Sequence, residues 1–469
     1  MRLVWLANLM AGMTAPPDDV SGGGVDPMTS SLDDVSARGN DDFLSRLLND
    51  SQGLPSDSSS SLPSFGQVLN SYLVVFVVAF LVTLVVVPLI RRVALRSGIV
   101  DWPDDARKAH GDPVPYLGGV AVFLGMVAAI AASYFLPGYQ AHLATVPASV
   151  VLGLVVIMLT GLIDDVAHLD PRLKIAGQLI AAAALALNPQ IGERIALGLM
   201  NPIGKLIGLE EFNFVFDLMP GSGELFFNLP YWVGAFIIAA FVIGGCNAAN
   251  LIDGLDGLLS GMTAFMAAGL LVISVMLAMR GYGELTAARV VICLALLGAT
   301  LGFLPHNFKP ATIFLGDAGS LMLGFSIIVV ILMMGERGHT HLVFAGLIVF
   351  GLPIIDTVLA ILRRRLNGLP ISAPDNDHLH HILKRSKLGV VGAVFVMYGI
   401  TALFGLLAIV MVVMRARAVY AVILVMTGFI VVSGIKAARR AQRRAEIETV
   451  KLSREGRGGS GRDGGQSAA

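Results

Sequence analysis

Two aspartates, Asp253 and Asp256, lie three residues apart between two long apolar runs, in the stretch NAANLIDGLDGLLSG at 247–261. A glycine follows each of them, which disfavours ordinary packing inside a helix. Carboxylates this close to membrane-length apolar segments are costly unless they pair, bind a cation or face water. We therefore expect both acids to line a polar cleft, and their spacing predicts that they lie on one side of a helical turn.

Other polar segments between apolar runs also carry residues that could do chemistry. They are the paired acids Asp164 and Asp165, the acid Asp317 before Ala-Gly-Ser, the histidines His378, His380 and His381, and the basic group Arg107, Lys108, His110 and Lys309. Carboxylates from three separate segments, without thiolates, favour a hard ion such as Mg²⁺. Positive side chains and helix N-termini suit phosphate groups. Together these features are typical of phosphoryl transfer, and the apolar setting implies a lipid substrate.

Each acidic group also has a purely structural interpretation. Asp164 and Asp165 could cap a helix or neutralise the nearby Arg172 and Lys174. Asp317 could serve only as the N-cap of the helix that follows it. Both interpretations remain open for these acids at the level of sequence.

The histidine-rich segment allows similar alternatives. His378, His380 and His381 could form a solvated cluster at the membrane surface instead of a binding site. Asp356, inside an apolar run, could pair with Arg363 two turns later on the same helix face. That pairing favours a structural role for Asp356 over a catalytic one.

The elements that must position these residues are membrane-spanning helices. Of 469 residues, 55% are hydrophobic and only 14% are charged, which is too apolar for an ordinary soluble fold. We predict an all-α polytopic integral membrane protein with about eleven transmembrane helices. They lie near 67–90, 115–136, 146–163, 173–188, 231–246, 258–279, 286–304, 319–334, 341–362, 390–414 and 418–435. Cys246 and Cys293 both fall inside these runs, so neither a disulfide nor a thiolate metal site is indicated.

Lysine and arginine are concentrated in the segments after the odd-numbered spans, which predicts that those segments are cytoplasmic. The N-terminus then lies outside, the C-terminus lies inside, and every candidate functional loop faces the cytoplasm. Residues 1–66, rich in Ser, Gly, Pro and Asp, are expected to be a disordered extension. Residues 67–436 form the predicted transmembrane domain, and 437–469 form a basic, Gly-rich cytoplasmic tail.

Five polar stretches resemble one known family. The stretches DWPDDARKAHGDPVPYLGG, GLIDDVAHLD, NAANLIDGLDGL, NFKPATIFLGDAGS and DNDHLHH occur in family order across nearly all of 67–388. They are similar to the polyprenyl-phosphate N-acetylhexosamine-1-phosphate transferases of bacterial cell-envelope glycan synthesis. The resemblance implies an enzyme of the inner (cytoplasmic) membrane that transfers a sugar 1-phosphate from a UDP-sugar to undecaprenyl phosphate, releasing UMP, with Mg²⁺ or substituting Mn²⁺.

The resemblance also implies roles for individual residues. Asp317 and Asp165 would be metal ligands, and Asp164 would act near the lipid phosphate as base or positioning group. Asn250, Asp253 and Asp256 would line the nucleotide pocket, with Phe314 near the uracil. The histidines His378, His380 and His381 would engage the diphosphate or the sugar. Substrate would also be bound by Arg107, Lys108, His110 and Lys309. A phosphate monoester is mostly a dianion at neutral pH and hardly needs a general base, which favours the positioning role of Asp164.

The histidine run distinguishes branches of the family. His378-Leu379-His380-His381 resembles the branch that transfers N-acetylglucosamine 1-phosphate, which makes UDP-N-acetylglucosamine the expected donor, with another UDP-N-acetylsugar as the alternative. Two positions that are often basic in the family are Asn376 and Thr312 here, which removes possible phosphate contacts.

Three other classes compete with this interpretation. An ion-coupled transporter predicts acids near the bilayer midplane and an internal repeat, and the sequence contains no evident repeat. A CDP-alcohol phosphotransferase would need spaced aspartates on one helix, which are not found. A structural scaffold would not need polar loops on one face. We expect no nucleic-acid partner, and a homodimer is compatible with the resemblance.

Overall fold

The computed structural model describes residues 63–101, 113–135, 146–208, 212–217, 224–281, 283–366, 368, 370, 378–385, 388–414, 419–429, 431–433 and 436. Most of the predicted N-terminal extension and the whole tail at 437–469 lie outside these residues. Arg107, Lys108 and His110 lie outside them as well, so their substrate-binding role stays a prediction.

Helices form nearly all of the described structure. In chain order the elements are α1 Phe65–Arg96, β1 Val100–Asp101, β2 Val114–Pro115, α2 Gly118–Ser133, α3 Ala148–Ala167, α4 Pro171–Ala186, α5 Gly192–Ile207, β3 Asn213–Asp217, β4 Glu224–Asn228, α6 Leu229–Ile252, α7 Leu258–Met279, α8 Thr286–Asn307, α9 Gly316–Met333, α10 Thr340–Val349, α11 Gly351–Leu366, α12 Leu379–Lys384 and α13 Gly389–Val413. Each strand pair, β1 with β2 and β3 with β4, is antiparallel. Residues 419–429 are also helical.

The chain is an all-α polytopic membrane protein, as predicted. In the described part, seven helices are long and apolar enough to cross a membrane, and α10 with α11 makes an eighth span if this pair, bent by 78°, crosses once. The predicted eleven spans are not confirmed. Helices coincide with all eleven apolar runs, but α2 and α4 have 16 residues each. At about 1.5 Å per residue such a helix is shorter than the hydrocarbon core of roughly 30 Å.

Helix α9 is at the centre of the bundle. Of its 18 residues, 89% are buried inside the protein, and the helices packed against it include α2, α3 and α6. A helix that is apolar on all sides is expected to be buried in this way. Its first turn carries Asp317, so the fold delivers this acid to the middle of one end of the bundle.

Small residues allow α2 and α3 to approach the first turn of α9 closely. A Cβ atom on Gly119 would lie 2.2 Å from the backbone nitrogen of Gly319, and one on Gly161 would lie 2.5 Å from the Cα of Ala318. Because no side chain fits between these backbones, the end of α3 that carries Asp164 is held against the start of α9.

Helix α5 is absent from the predicted spans. Its apolar residues alternate at helical spacing with Arg194, Asn201 and Lys205, so no continuous apolar run marks it. Ile195 and Ala196 are buried, whereas Leu206 and Ile207 near its end are exposed. Helix α5 is therefore amphipathic, and only part of its apolar face packs on the protein.

Candidate active site

Asp165 caps helix α9 from the end of α3. Its Oδ1 accepts the backbone N–H of Asp317 at 2.7 Å, and its Oδ2 accepts that of Ala318 at 3.0 Å. These N–H groups have no partner within α9, and a carboxylate at a helix N-terminus is favoured by the helix dipole. The interpretation of Asp317 as the N-cap is therefore wrong, because Leu315 occupies that position and Asp317 lies inside the first turn.

Lys174 joins the two acidic segments. Helix α4 begins after its N-cap Asp170, and one turn later Lys174 places its Nζ 2.6 Å from Asp164 Oδ2 and 2.7 Å from Asp317 Oδ2. The other oxygen of Asp164 accepts the backbone N–H of Leu169 at 2.8 Å. Of the two structural interpretations left open for the paired acids, the ion pair with Lys174 is present for Asp164, and the same ammonium group also contacts Asp317.

Asn250 completes the surroundings of Asp317. From the last turn of α6, its Nδ2 donates to Asp317 Oδ1 at 2.7 Å and to the hydroxyl of Ser320 at 2.9 Å. Both carboxylate oxygens of Asp317 thus have a donor, while the side chain is still 26% exposed. An acid that is held in place yet reachable from solvent is suited to binding a ligand.

Asp253 and Asp256 lie in the break between α6 and α7, not on a helical turn. Helix α6 ends at Ile252, and α7 begins only after Gly257, whose φ is +76°. The prediction of one helical turn is wrong because glycines interrupt the helix. Burial, then the negative charges of nearby Asp317, Asp165 and Asp256, raise the pKa of Asp253 to about 8. Asp253 therefore belongs to the same acidic cluster.

Polar contacts hold this break in place. Asn307 Oδ1 accepts the backbone N–H of Gly257 at 3.2 Å and the hydroxyl of Ser260 at 2.8 Å. Asp256 Oδ2 accepts the backbone N–H of Ala311 at 3.2 Å, and the Tyr398 hydroxyl donates to the Gly257 carbonyl. Neither Asn307 nor Tyr398 is among the residues predicted from the sequence to have a role. Asn307 stands in the quoted stretch NFKPATIFLGDAGS, whereas no local pattern marks Tyr398.

Phe314 is held by backbone contacts with the segment before α2. Its N–H donates to the Pro115 carbonyl at 2.9 Å, and its carbonyl accepts the Gly118 N–H at 2.9 Å. Its ring centroid lies 6.0 Å from that of Tyr116. Burial and a hydrogen bond to Asp101 raise the pKa of Tyr116, which keeps the phenol neutral. These rings form an aromatic wall beside the acids.

A basic side chain reaches Thr312 from a distant helix. Arg91 Nε in α1 donates to the Thr312 carbonyl at 3.0 Å, and Lys309 is exposed nearby in sequence. Position 312, which is often basic in the family that the sequence resembles, is threonine here. Arg91 brings a basic side chain to this position, which sequence reasoning missed. No local signal could identify Arg91, which is 221 residues away in the chain.

The histidine cluster is anchored by Asp356. Asp356 Oδ2 lies 2.8 Å from His378 Nδ1, and Oδ1 accepts the backbone N–H of Leu379 at 2.9 Å. His378 is 4% exposed and His380 1%, so the solvated interpretation is wrong for both. The predicted structural partner of Asp356 was Arg363, whereas the carboxylate here contacts the start of α12.

His380 connects this cluster to the acids. A Cβ atom on Gly254, next to Asp253, would lie 2.4 Å from His380 Nε2, so the imidazole packs directly on that backbone. The His380 and His381 ring centroids are 4.2 Å apart. Burial and the neighbouring His381 lower the pKa of His380 to about 4, so the ring is neutral at pH 7.

The structure therefore brings most of the predicted site residues to one end of the bundle. Among the described residues, no group of three or more His, Cys, Asp or Glu is arranged to hold a metal ion. The oxygens of Asp164 and Asp317 nevertheless converge on one cation, the Lys174 ammonium group. Mg²⁺ commonly takes only one or two carboxylates and completes its shell with water and phosphate oxygens, so this donor set fits it.

Comparison with known proteins supplies the family. A protein of Bacillus subtilis (strain 168), named probable undecaprenyl-phosphate N-acetylglucosaminyl 1-phosphate transferase, is 34% identical over 342 residues, covering 72% of this chain and 84% of the relative. The chain belongs to glycosyl transferase family 4. The model of that family matches residues 147–335, which contain the predicted acids but end before the histidine cluster.

Two further relatives are similar over comparable lengths. Decaprenyl-phosphate N-acetylglucosaminephosphotransferase of Mycobacterium tuberculosis (strain ATCC 25618 / H37Rv) is 33% identical over 365 residues, covering 74% of this chain and 83% of the relative. Undecaprenyl-phosphate alpha-N-acetylglucosaminyl 1-phosphate transferase of Escherichia coli (strain K12) is 29% identical over 314 residues, covering 66% and 75%.

Proposed function

We propose that this protein transfers an N-acetylhexosamine 1-phosphate from a UDP-sugar to a polyprenyl phosphate and releases UMP. The observation that carries the proposal is the cluster in which Asp164 and Asp317 share the Lys174 ammonium group while Asp165 caps α9. This cluster combines cation-binding carboxylates with a helix N-terminus, and phosphoryl transfer depends mainly on positioning and charge neutralisation. The names of the relatives support the same reaction class.

The placement of the acids argues against an ion-coupled transporter. Asp164 and Asp165 lie in the last turn of α3, Asp317 lies in the first turn of α9, and Asp253 follows α6. A carrier would be expected to hold its acids near the bilayer midplane. Acids at helix ends are instead accessible both to a lipid phosphate at the membrane surface and to a soluble nucleotide sugar.

The proposed reaction needs no covalent enzyme intermediate. A phosphate oxygen of the polyprenyl phosphate forms a bond to the β-phosphorus of the UDP-sugar, the bond from that phosphorus to the bridging oxygen breaks, and UMP leaves with the bonding electrons. Asp164 and Lys174 lie where they can orient the acceptor phosphate. The Asp164 carboxylate attracts a cation, and the Lys174 ammonium group attracts the phosphate itself. The acceptor is largely a dianion at neutral pH, so removal of a proton is a minor requirement.

Mg²⁺ is part of the proposal, with Asp317 as the principal ligand. Asp164, which contacts the same Lys174 ammonium group as Asp317, would be the second carboxylate ligand. Asp165 would support both acids by capping α9. Each Asp165 oxygen retains a lone pair after accepting one N–H, so its predicted role as a ligand stays a prediction. When bound, the ion would neutralise the diphosphate; Mn²⁺ is a hard substitute with the same ligand preference.

We further propose UDP-N-acetylglucosamine as donor and undecaprenyl phosphate as acceptor, at the first step of a lipid-linked cell-envelope glycan. The relatives named above and the His378-Leu379-His380-His381 run support this choice. Within the site, Asn250, Asp253, Asp256 and Phe314 would surround the nucleotide, and the histidines would contact the sugar or diphosphate. We retain the orientation that puts the site in the cytoplasm, because lysines and arginines are concentrated in the segments after the odd-numbered predicted spans.

The direct test uses the full-length protein purified in detergent, with undecaprenyl phosphate, MgCl₂ and a panel of UDP-sugars. UMP release and a sugar-labelled lipid should appear only when metal and lipid are both present, with UDP-N-acetylglucosamine as the best donor. Product with a different UDP-sugar would keep the reaction and reject the donor. The absence of product with every donor and polyprenyl phosphate would reject the reaction.

The metal assignment needs a separate measurement. We would follow thermal unfolding during MgCl₂ titration for the wild type, Asp317→Asn and the matched control Asp170→Asn. Asp170 is exposed and caps α4, and asparagine is an equally good cap. Mg²⁺ should stabilise the wild type and the control but not Asp317→Asn. Equal stabilisation of all three proteins would remove Asp317 from the metal site.

A further inference from the structure

A basic pocket opens at the end of α9 that lies away from Asp317. Its volume is about 450 Å³, and its lining includes Arg194, Asn201 and Lys205 of α5 together with Arg337 and Gly338. Three lining side chains are cationic, and none of the described lining residues is an acid. This pocket, which we call the α5 pocket, is separate from the acidic cluster.

The length of α9 places the α5 pocket at the other membrane face. Asp317 is in the first turn of α9, which ends at Met333, and Arg337 follows four residues later. The 18 residues of α9 correspond to about 27 Å, close to the thickness of the hydrocarbon core. A ligand in the α5 pocket therefore cannot reach the acids that we propose for phosphoryl transfer.

The pocket is built by a backbone contact between α5 and the segment after α9. A Cβ atom on Gly198 would lie 2.3 Å from the Gly338 carbonyl oxygen, so the two backbones touch. Arg194, Gly198, Asn201 and Lys205 recur every three or four residues and share one helix face. Arg337 Nη2 donates to the Gly281 carbonyl at 3.0 Å, which holds that segment in place.

The opposite face of α5 is apolar and partly uncovered. Leu199, Ile203, Leu206 and Ile207 are exposed, Leu206 to 85%. A 16-residue helix with one apolar and one basic face is typical of segments that lie along a membrane surface. Exposed Trp232 at the start of α6, the next helix in the chain, fits the aromatic belt found at such interfaces. These features place the basic face at the level of lipid headgroups.

We propose that the α5 pocket binds a phosphate group and that an anionic phospholipid headgroup supplies it. Guanidinium and ammonium groups are the side chains that recognise phosphate, and basic clusters at a membrane surface favour anionic lipids. The apolar face of α5 provides the adjoining contact for acyl chains. The inference rests on the pocket and on α5, so it is independent of the proposed transferase activity.

The test measures lipid binding to the purified full-length protein by native mass spectrometry and by thermal unfolding. Phosphatidylglycerol should bind and raise the melting temperature, whereas phosphatidylcholine should not. The double variant Arg194→Gln/Lys205→Gln should weaken phosphatidylglycerol binding at least tenfold. The matched control Arg280→Gln removes an exposed cation just after α7, outside the pocket lining, and should bind like the wild type.

Two further arms decide the source of the phosphate and guard against misfolding. Inorganic phosphate at millimolar concentration should not reproduce the stabilisation; if it does so as well as the lipid, a soluble anion is the ligand and the lipid assignment is wrong. The charge-preserving variant Arg194→Lys/Lys205→Arg should retain lipid binding. Unchanged lipid binding in the charge-removing double variant would overturn the proposal.

Discussion

The two ends of α9 hold charged groups in opposite ways. Beyond its last turn, Arg289 and Glu336 form an ion pair at 2.6 Å, with side chains 0% and 5% exposed. Arg289 also donates to the Met333 carbonyl and to Thr286, and Glu336 accepts the Leu285 N–H. At its first turn, Asp164 and Asp317 share the ammonium group of Lys174, and the Asp317 side chain remains partly exposed.

This difference separates a structural ion pair from a binding site. The Arg289–Glu336 pair is balanced in charge and closed to solvent, so it can contribute to stability but has no room for a ligand. The acidic end brings several carboxylates together around one lysine, and burial, followed by repulsion from the neighbouring carboxylates, raises the pKa of Asp253. A cation that binds at such an end stabilises it by neutralising the repelling carboxylates, whereas a cation would not stabilise a balanced ion pair.

The largest expected effect is at the acidic end. Asp317→Asn keeps the shape of the side chain but removes the charge that faces Lys174, so kcat should fall by at least roughly 10³-fold, and Asp317→Ala should abolish turnover. Both variants should be extracted as folded protein. The measurement is UMP release per folded molecule; near-normal turnover would mean that the acidic end is structural after all.

The second prediction concerns stability at the other end. Arg289→Met leaves Glu336 buried without its partner, which should lower the free energy of unfolding by about 3–5 kcal/mol. Turnover per folded molecule should stay near that of the wild type. The double variant Arg289→Met/Glu336→Leu should recover much of the stability in thermal unfolding. A loss of activity without a loss of stability would contradict the comparison.

The third prediction tests how the acidic end is connected to the histidines. Asp356 contacts both His378 and the first N–H of α12, so Asp356→Asn should misplace the cluster and lower kcat roughly 10- to 100-fold. Because Asp356 acts through His378, the variant His378→Asn should lower kcat as well, and the double variant should be little worse than the worse single one. Additive losses in this cycle would show that the two side chains act separately.

The smallest effect is a pH dependence confined to the histidine side. In the folded protein the pKa of His380 is lowered to about 4, whereas in the unfolded chain it is near 6.5. Its contribution to stability is thus complete above about pH 6.5 and is lost as the pH falls toward 4. Between pH 7 and 5.5 the loss should be about 1 kcal/mol. Thermal unfolding of wild type and His380→Asn would detect it as a difference in pH slope; parallel slopes would reject it.

Local patterns predicted the helices and the identity of the acids, but not the contacts among them. Helices formed along the apolar runs, with two in the run at 341–362, because segments of this length satisfy their backbone hydrogen bonds in lipid as helices. The glycine after each acid of NAANLIDGLDGLLSG indicated that the helix is interrupted there. The predicted helical turn was wrong because it did not take this interruption into account. Helix α5 escaped detection because an amphipathic surface helix has no continuous apolar run.

The amino-acid sequence by itself determined that the chain spans a membrane and which polar stretches could do chemistry, since both follow from composition and local order. The tertiary structure alone decided which partner each acidic side chain contacts. Asp165 caps a helix whose start is 152 residues away, Lys174 reaches Asp317 across 143 residues, and Asp356 was assigned a partner on its own helix but contacts His378. Such contacts depend on which helix ends the bundle brings together, and packing around the buried α9 makes that choice.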